Sequence, residues 1–319
     1  MNAQNYTHTS NNVKLYKHLD RLRLLQIGRA TPIVIHMAPT HKCQMNCVFC
    51  CFKNRQGKTL EMPLEVLKEG IDQFYSLGTR AVELTGGGEP SLYSRINAAI
   101  PYIKKKGMSL GINTNAVDSQ LIGHWEAFDW VRVSLNVLDY HDTINVGPIK
   151  KAGAYISGCY IWNDLSTPET FEKIVQFANR EKIACRIAPD CIVKLNEIDK
   201  SVEIVREVIK QATKSEYIFL SDFNIDTHRH NQKCYIHLIK PCFYTDGYVY
   251  PCPSIELALE NEAQMPKEFR LCKYNEIESF YRSGKAFEIE DKNCSYCKYA
   301  KQQIVIEDVL TKTSFNEFA

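Results

Sequence analysis

The sequence predicts an α/β fold: a partial (β/α)6 barrel followed by a small C-terminal domain made of a β-hairpin plus helices. Three observations carry this. Short apolar strand-like runs alternate with amphipathic helical stretches about six times between residues 33 and 212. The cysteine-rich run at 43–50 and the glycine-rich run at 86–90 each follow directly on one of those strands. Beyond about residue 215 the alternation stops and the chain turns polar and irregular.

Taken in order, residues 13–27 read as a helix carrying Leu15, Leu19, Leu22 and Leu25 on one face and ended by Gly28. A strand at 33–35 leads into the cysteine run. A helix starts at Pro63, places Leu64, Leu67, Ile71 and Phe74 together and stops at Gly78. Then come a strand at 81–84, a helix at 94–106, a strand at 109–113, a short helix at 119–127 and a strand at 131–135. The stretch 139–153 has no clear period; a strand at 154–161, a helix at 168–180, a strand at 183–187 and a helix at 197–212 follow.

Apolar strands of this kind suit a parallel sheet buried on both faces. Right-handed crossovers curl such a series into a barrel of the TIM type, and six units are too few to close one of eight strands. Active sites in such barrels lie at the C-terminal strand ends, so the cysteine and glycine runs share one rim. The expected organisation is a helical extension at 1–29, a barrel core at 30–215 and an auxiliary domain at 216–319. The last contains a hairpin over 241–252 turning at Asp246-Gly247, a helix near 276–287 and a final helix from about 298.

With 319 residues, 45% hydrophobic, 24% charged and a net charge of +2 of interspersed sign, the composition is ordinary for a soluble globular protein. No basic face points to nucleic acid. No apolar run is long enough for a membrane span, and the polar N-terminus lacks a signal-peptide core. Thirteen cysteines without a secretion signal suggest a reducing compartment, the cytoplasm, and metal binding.

Cys43, Cys47 and Cys50 form a C-x3-C-x2-C run. Three thiolates on one short loop can take three corners of a [4Fe–4S] cluster and leave the fourth iron open for a ligand. The alternative, a zinc knuckle, usually presents two C-x2–4-C pairs. Cys51 reads as a bystander. In the tail, Cys242 and Cys252 flank the hairpin turn and Cys294 and Cys297 form a C-x2-C pair. These are four soft ligands for a closed [4Fe–4S] cluster or for zinc, and spacing alone does not choose the metal.

C-x3-C-x-aromatic-C after the first strand, with Gly87-Gly88-Glu89-Pro90 after the second, resembles the radical S-adenosylmethionine (SAM) superfamily over residues 30–215. The resemblance implies SAM chelated to the open iron, with its one-electron cleavage giving a 5′-deoxyadenosyl radical. It implies that Gly87, Gly88 and Glu89 meet the methionine ammonium and that Phe49 lies near the adenine. Asn115 and Ser134, at strand ends, correspond to positions that meet the carboxylate and ribose, and Arg186 to a partner of the carboxylate. Read without the resemblance, these are a turn, polar strand ends and a surface ion pair.

The tail pattern, Cys-x4-Gly-x4-Cys and a late C-x2-C, resembles the shortened SPASM or Twitch domains and implies one auxiliary [4Fe–4S] cluster on Cys242, Cys252, Cys294 and Cys297. No cysteine follows Cys297, so a third cluster is not expected. Cys159, Cys191 and Cys272 are candidate hydrogen-atom donors to a substrate radical, against the commoner fate of a core thiol.

The expected function is oxidation or rearrangement of a small molecule, nucleoside or sugar by hydrogen abstraction, with flavodoxin or ferredoxin as electron donor. A redox-neutral isomerase or epimerase acting on a peptide or modified nucleobase is the alternative enzyme. A metal-stapled nucleic-acid-binding module is the non-enzyme alternative.

Overall fold

The computed structural model describes residues 12–55, 57–190, 192, 197–211, 215–220, 233–255, 265–290, 294 and 297–311. Strands β1 (Val34–Met37), β2 (Ala81–Leu84), β3 (Ser109–Thr114), β4 (Trp130–Ser134), β5 (Ile156–Trp162), β6 (Cys185–Pro189) and β7 (Ile218–Leu220) pair in parallel in that order. Between them run α2 (Leu64–Ser76), α3 (Ile96–Lys105), α4 (Gly147–Lys151), α5 (Pro168–Glu181) and α6 (Ile198–Gln211). In front stands α1 (Leu19–Gln26); behind come α7 (Ile277–Arg282) and α8 (Ala300–Leu310), and α1 packs against α8. The expected mostly parallel α/β architecture is present.

Local chemistry explains the elements. In α2, Leu67, Ile71 and Phe74 recur at helical spacing and are fully buried. Thr167 caps α5 by accepting from the Thr170 amide at 3.1 Å, and Pro168 fills the first helical position. Leu84, Ile112, Val131 and Val133 bury the outer strand faces under these helices.

Four differences from the sequence reading have physical causes. The stretch 119–127 forms two 3-10 turns, Ser119–Leu121 and Trp125–Ala127, interrupted by the poor helix former Gly123 and tied together where Trp125 Nε1 donates to the Ser119 carbonyl at 2.9 Å. The N-terminal helix begins as a 3-10 segment, Asn12–His18. A seventh strand, β7, follows α6. The strands are also not apolar on both faces: His36, Glu83, Asn113 and Arg132 alternate with the apolar residues and line the barrel interior.

The hairpin of β8 (Cys242–Phe243) and β9 (Tyr248–Tyr250) forms at the expected turn. It is part of the same sheet. β8 pairs in parallel with β1 through His36↔Cys242 and Met37↔Phe243, and β10 (Cys272–Lys273) adds antiparallel to β9. Among the described residues no helix is long and apolar enough to cross a membrane.

Behind β8, His237 is completely buried, with Nε2 2.7 Å from the Ala286 carbonyl, so Nε2 carries the proton. Burial lowers its pKa from 6.5 to about 4. The imidazole is then neutral in the fold where the unfolded chain would already be protonated. Stability is unaffected above about pH 6.5 and falls between about 6.5 and 4, by about 3 kcal/mol at 1.36 kcal/mol per pKa unit. Anaerobic urea titrations should show a shallower acid slope for His237→Phe; an unchanged slope would assign the acid sensitivity elsewhere.

Candidate active site at the barrel rim

The loop leaving β1 is fixed at its base before it reaches the cysteines. The Ala38 amide donates to the Phe243 carbonyl at 3.0 Å, and Thr245 Oγ1 donates to the Ala38 carbonyl at 2.7 Å, so the hairpin braces the exit of β1. The His41 amide reaches the Leu60 carbonyl at 2.8 Å. Arg55 closes the far side, donating through Nε to the His41 carbonyl (2.9 Å) and through Nη1 to the Phe52 carbonyl (2.8 Å). The sequence reading did not single out Arg55; a lone arginine in a polar loop gives no spacing signal.

Cys43, Cys47 and Cys50 line one cavity of about 100 Å³ together with Met45, Phe52, Arg55 and Gly86–Gly88. The aromatic ring on its wall is Phe52; Phe49 is half-buried in the same loop. Burial raises the Cys43 thiol pKa. Cys47 is pushed up to about 12 by burial, then by Cys50, Cys43 and Asp139. As bare thiols these groups resist ionisation; a bound cationic cluster inverts that preference.

The glycine run lies against this loop at backbone distance. A Cβ on Gly88 would fall 2.2 Å from the Lys42 carbonyl oxygen and 2.5 Å from the His41 carbonyl carbon, and one on Gly87 would fall 2.8 Å from the His41 ring. The Glu89 amide donates to the Lys42 carbonyl at 2.7 Å. Gly88→Ala cannot be accommodated by moving a side chain. It should weaken SAM binding by about a hundredfold while leaving far-ultraviolet circular dichroism intact, since overpacking against backbone exceeds the usual 1–3 kcal/mol. Equilibrium dialysis with SAM checks it, and wild-type affinity would show that the close approach is not needed.

Glu89 is buried, and its carboxylate accepts from Thr114 Oγ1 (2.6 Å), the Asn115 amide (2.7 Å) and the Ser91 amide (3.1 Å). Burial raises its pKa against those hydrogen bonds. Its first task is thus to tie the glycine loop to the end of β3. The Asn115 side chain exchanges hydrogen bonds with Gln44 of the cysteine loop, each 3.3 Å. Ser134 ends β4, half-buried beside Cys159 in the neighbouring strand. All of these stand on the same rim.

Beneath the rim the barrel interior is charged. His36 Nε2 lies 2.8 Å from Glu83 Oε2, and Asn113 Nδ2 donates to Glu83 Oε1 at 2.7 Å. Burial would raise the Glu83 pKa, but His36, Lys240 and Arg132 outweigh it and hold the carboxyl well below the usual range. Arg132 donates to Asn113 Oδ1 at 3.3 Å, and Arg186 Nε donates to Cys159 Sγ at 3.1 Å. The sequence reading missed His36, Glu83, Arg132 and Lys240. For His36, Glu83 and Arg132 the signal was present as polar residues at every second position of apolar strands, while Lys240 precedes β8.

Of the candidate hydrogen donors, Cys159 faces this interior. Cys272 stands on β10 and packs into the core near Tyr281, away from the rim. Cys191 lies outside the described residues.

The tail thiols regroup. Cys252 is pushed well above the ordinary thiol range by burial, then by Cys234, Cys294 and Cys297. Cys242 is buried on β8 among Ala38, Tyr244 and Tyr250, and its strand partner is Tyr250, not Cys252. Cys234 is held toward the C-x2-C pair: its amide donates to the Ile289 carbonyl at 2.9 Å, and Lys233 bridges Glu290. Cys234, Cys294 and Cys297 thus act electrostatically on Cys252.

The residues at the rim fit a cluster. Among the described residues no three His, Cys, Asp or Glu side chains converge on a single ion. The rim thiols instead surround a cavity faced by glycines, and a cubane spreads its thiolates wider than one ion does.

Residues 37–155 match the family model of the Radical SAM superfamily. Over those residues the chain is similar to radical SAM enzymes. The superfamily implies a [4Fe–4S] cluster and SAM. In structure the chain is similar to Streptococcus suis SuiB bound to precursor peptide SuiA, at 15% identity and TM-score 0.54 over 85% of this chain and 70% of that one. It is similar to anSMEcpe with bound AdoMet and the Cp18Cys peptide, at 12% identity and TM-score 0.54 over 90% and 86%. At these identities the likeness concerns the fold. No curated protein matches the chain.

Proposed function

We propose that the enzyme binds a [4Fe–4S] cluster through Cys43, Cys47 and Cys50, holds SAM between that cluster and Gly86–Gly88, and abstracts hydrogen from a substrate C–H bond. The observation that carries this reading is the single cavity shared by the three thiols and the glycine run. When bound, the cluster and SAM supply a 5′-deoxyadenosyl radical. The chain supplies placement. Glu89 fixes the glycine loop to β3, Gln44 and Asn115 join the cysteine loop to the same strand, and Arg55 holds the loop closed. Asn115 and Ser134 are the polar groups offered to the SAM carboxylate and ribose, with Phe49 and Phe52 the aromatic rings for adenine; Arg186, the second residue of β6, lies lower in the barrel.

A second [4Fe–4S] cluster on Cys234, Cys252, Cys294 and Cys297 is part of the same proposal, supported by the influence of Cys234, Cys294 and Cys297 on the Cys252 thiol. With it the reaction is an oxidation or rearrangement in the cytoplasm, with a flavodoxin or ferredoxin as donor. Cys159 is the interior candidate for returning a hydrogen atom in a redox-neutral variant. A peptide substrate is the second reading, favoured by the peptides bound in two structures of this fold. The test is anaerobic reconstitution followed by reduction with SAM. Release of 5′-deoxyadenosine, with deuterium carried from a labelled substrate, is expected; a reconstituted, reduced protein that leaves SAM intact would refute the proposal.

A further inference from the structure

The barrel interior contains a buried group the SAM reading does not use. Ser157 Oγ is enclosed, the residue only 4% exposed, and it has no hydrogen-bond partner. Ser157 is in parallel register with Arg132, so the two share the inner face of adjacent strands. Two residues on, Cys159 accepts from Arg186 Nε, which puts Arg186 on that face as well.

Arg132 on β4 and Arg186 on β6 flank β5 on the same inner face. Burial and the charge of Arg186 together lower the Arg132 pKa to about 10. Arg132 lies over the Trp130 ring at 5.1 Å, and that ring has room because the facing residue is Gly111, whose Cβ would fall 2.2 Å from the indole. Glu83 acts on Arg132 and is also engaged by His36 and Asn113. Lys240 and Lys14 add further positive charge to the same network.

These residues sit low in the barrel. Ser157 and Arg186 are the second residues of β5 and β6, and Arg132 is the middle of β4, whereas the cysteine and glycine loops follow the ends of β1 and β2. A group bound there lies deeper than, and across the barrel from, the glycines that would hold SAM.

Leaving a buried hydroxyl unsatisfied is costly, and two adjacent arginines suit a forked acceptor. We propose that Arg132, Arg186 and Ser157 form a subsite for an oxyanion of the substrate, a carboxylate or a phosphate, anchoring it so that its C–H bond faces the rim. This rests on the radical SAM reading for the meaning of the rim, and it narrows the substrate to an anionic molecule.

Isothermal titration of the anaerobically reconstituted holoenzyme tests it, with inorganic phosphate and acetate as probes, with and without bound SAM. At least one anion should bind at one site with SAM in place. Ser157→Ala should weaken it about fivefold, the effect of one hydrogen bond. Arg132→Lys, which keeps the charge and removes the fork, should weaken it about tenfold or more. SAM affinity should not change in either variant.

Three results would overturn the subsite. They are no binding of either anion, binding that neither substitution alters, and loss of anion binding when SAM is present coupled to weaker SAM binding in Ser157→Ala. The last would give the site to the SAM carboxylate. If wild-type protein fails to cleave SAM, the underlying reading fails, while the titration still decides whether the oxyanion site exists.

Discussion

Cys43→Ala should abolish reductive cleavage of SAM while leaving the barrel folded. The loss should reach at least about a thousandfold, beyond the 10–100-fold typical when only an outer-shell partner of a metal is removed. The argument is geometric. Cys43, Cys47 and Cys50 line one cavity, and the base of their loop is fixed by Thr245, Leu60, Glu89 and Arg55 before the first cysteine is reached. A rigid base means that a missing thiol is not replaced by movement of another. Cys51 follows immediately on Cys50 but does not line that cavity, so Cys51→Ala is the matched control and should retain cleavage.

The measurement is 5′-deoxyadenosine formed per chain under dithionite, alongside the electron paramagnetic resonance signal of the reduced cluster. Cleavage at the wild-type rate in Cys43→Ala would remove these thiols from the mechanism. Because the loop joins the glycine run and β3 through backbone and Gln44 contacts, thermal stability should change little in either variant.

Much of this site was legible in the sequence because it is local. Three cysteines within eight residues and a Gly-Gly-Glu-Pro turn each sit directly after a strand, and barrel topology puts strand ends on one rim. The strands of the core were legible for the same reason, being short apolar runs bounded by turns. The charged interior was not. His36, Glu83, Asn113 and Arg132 come from four strands and acquire meaning only when register brings them together. The hairpin illustrates the same limit. Its turn at Asp246-Gly247 is a local signal, but its pairing with β1, some two hundred residues earlier in the chain, is not.

The same distinction between local and long-range signals governs the tail. Spacing about the hairpin turn favours Cys242 as the partner of Cys252, since both flank Gly247 at equal distance. In the structure Cys242 opposes Tyr250 and is packed among Ala38, Tyr244 and Tyr250, the observation behind the proposed exchange for Cys234. Cys234 has no such local signal. Its segment is held by the Ile289 carbonyl and by Gln303, which donates to the Lys233 carbonyl at 2.7 Å and accepts from the Tyr235 amide at 2.9 Å. Gln303 belongs to α8, so the segment around Cys234 is held on both sides of the C-x2-C pair.

Cys234→Ala should therefore lower the iron content from about eight to about four per chain, with the rim cluster retained. Binding of a structural metal contributes on the order of 10 kcal/mol to the folding of its segment. Limited proteolysis should accordingly cut the 233–311 region of this variant far faster than that of the wild type. Cys242→Ala should keep about eight irons and lose only what a small buried cavity costs, roughly 1 kcal/mol. Colorimetric iron analysis with Mössbauer spectroscopy separates the two. The reverse pattern would return Cys242 to the ligand set, and zinc in the tail of the wild type would replace the second cluster altogether.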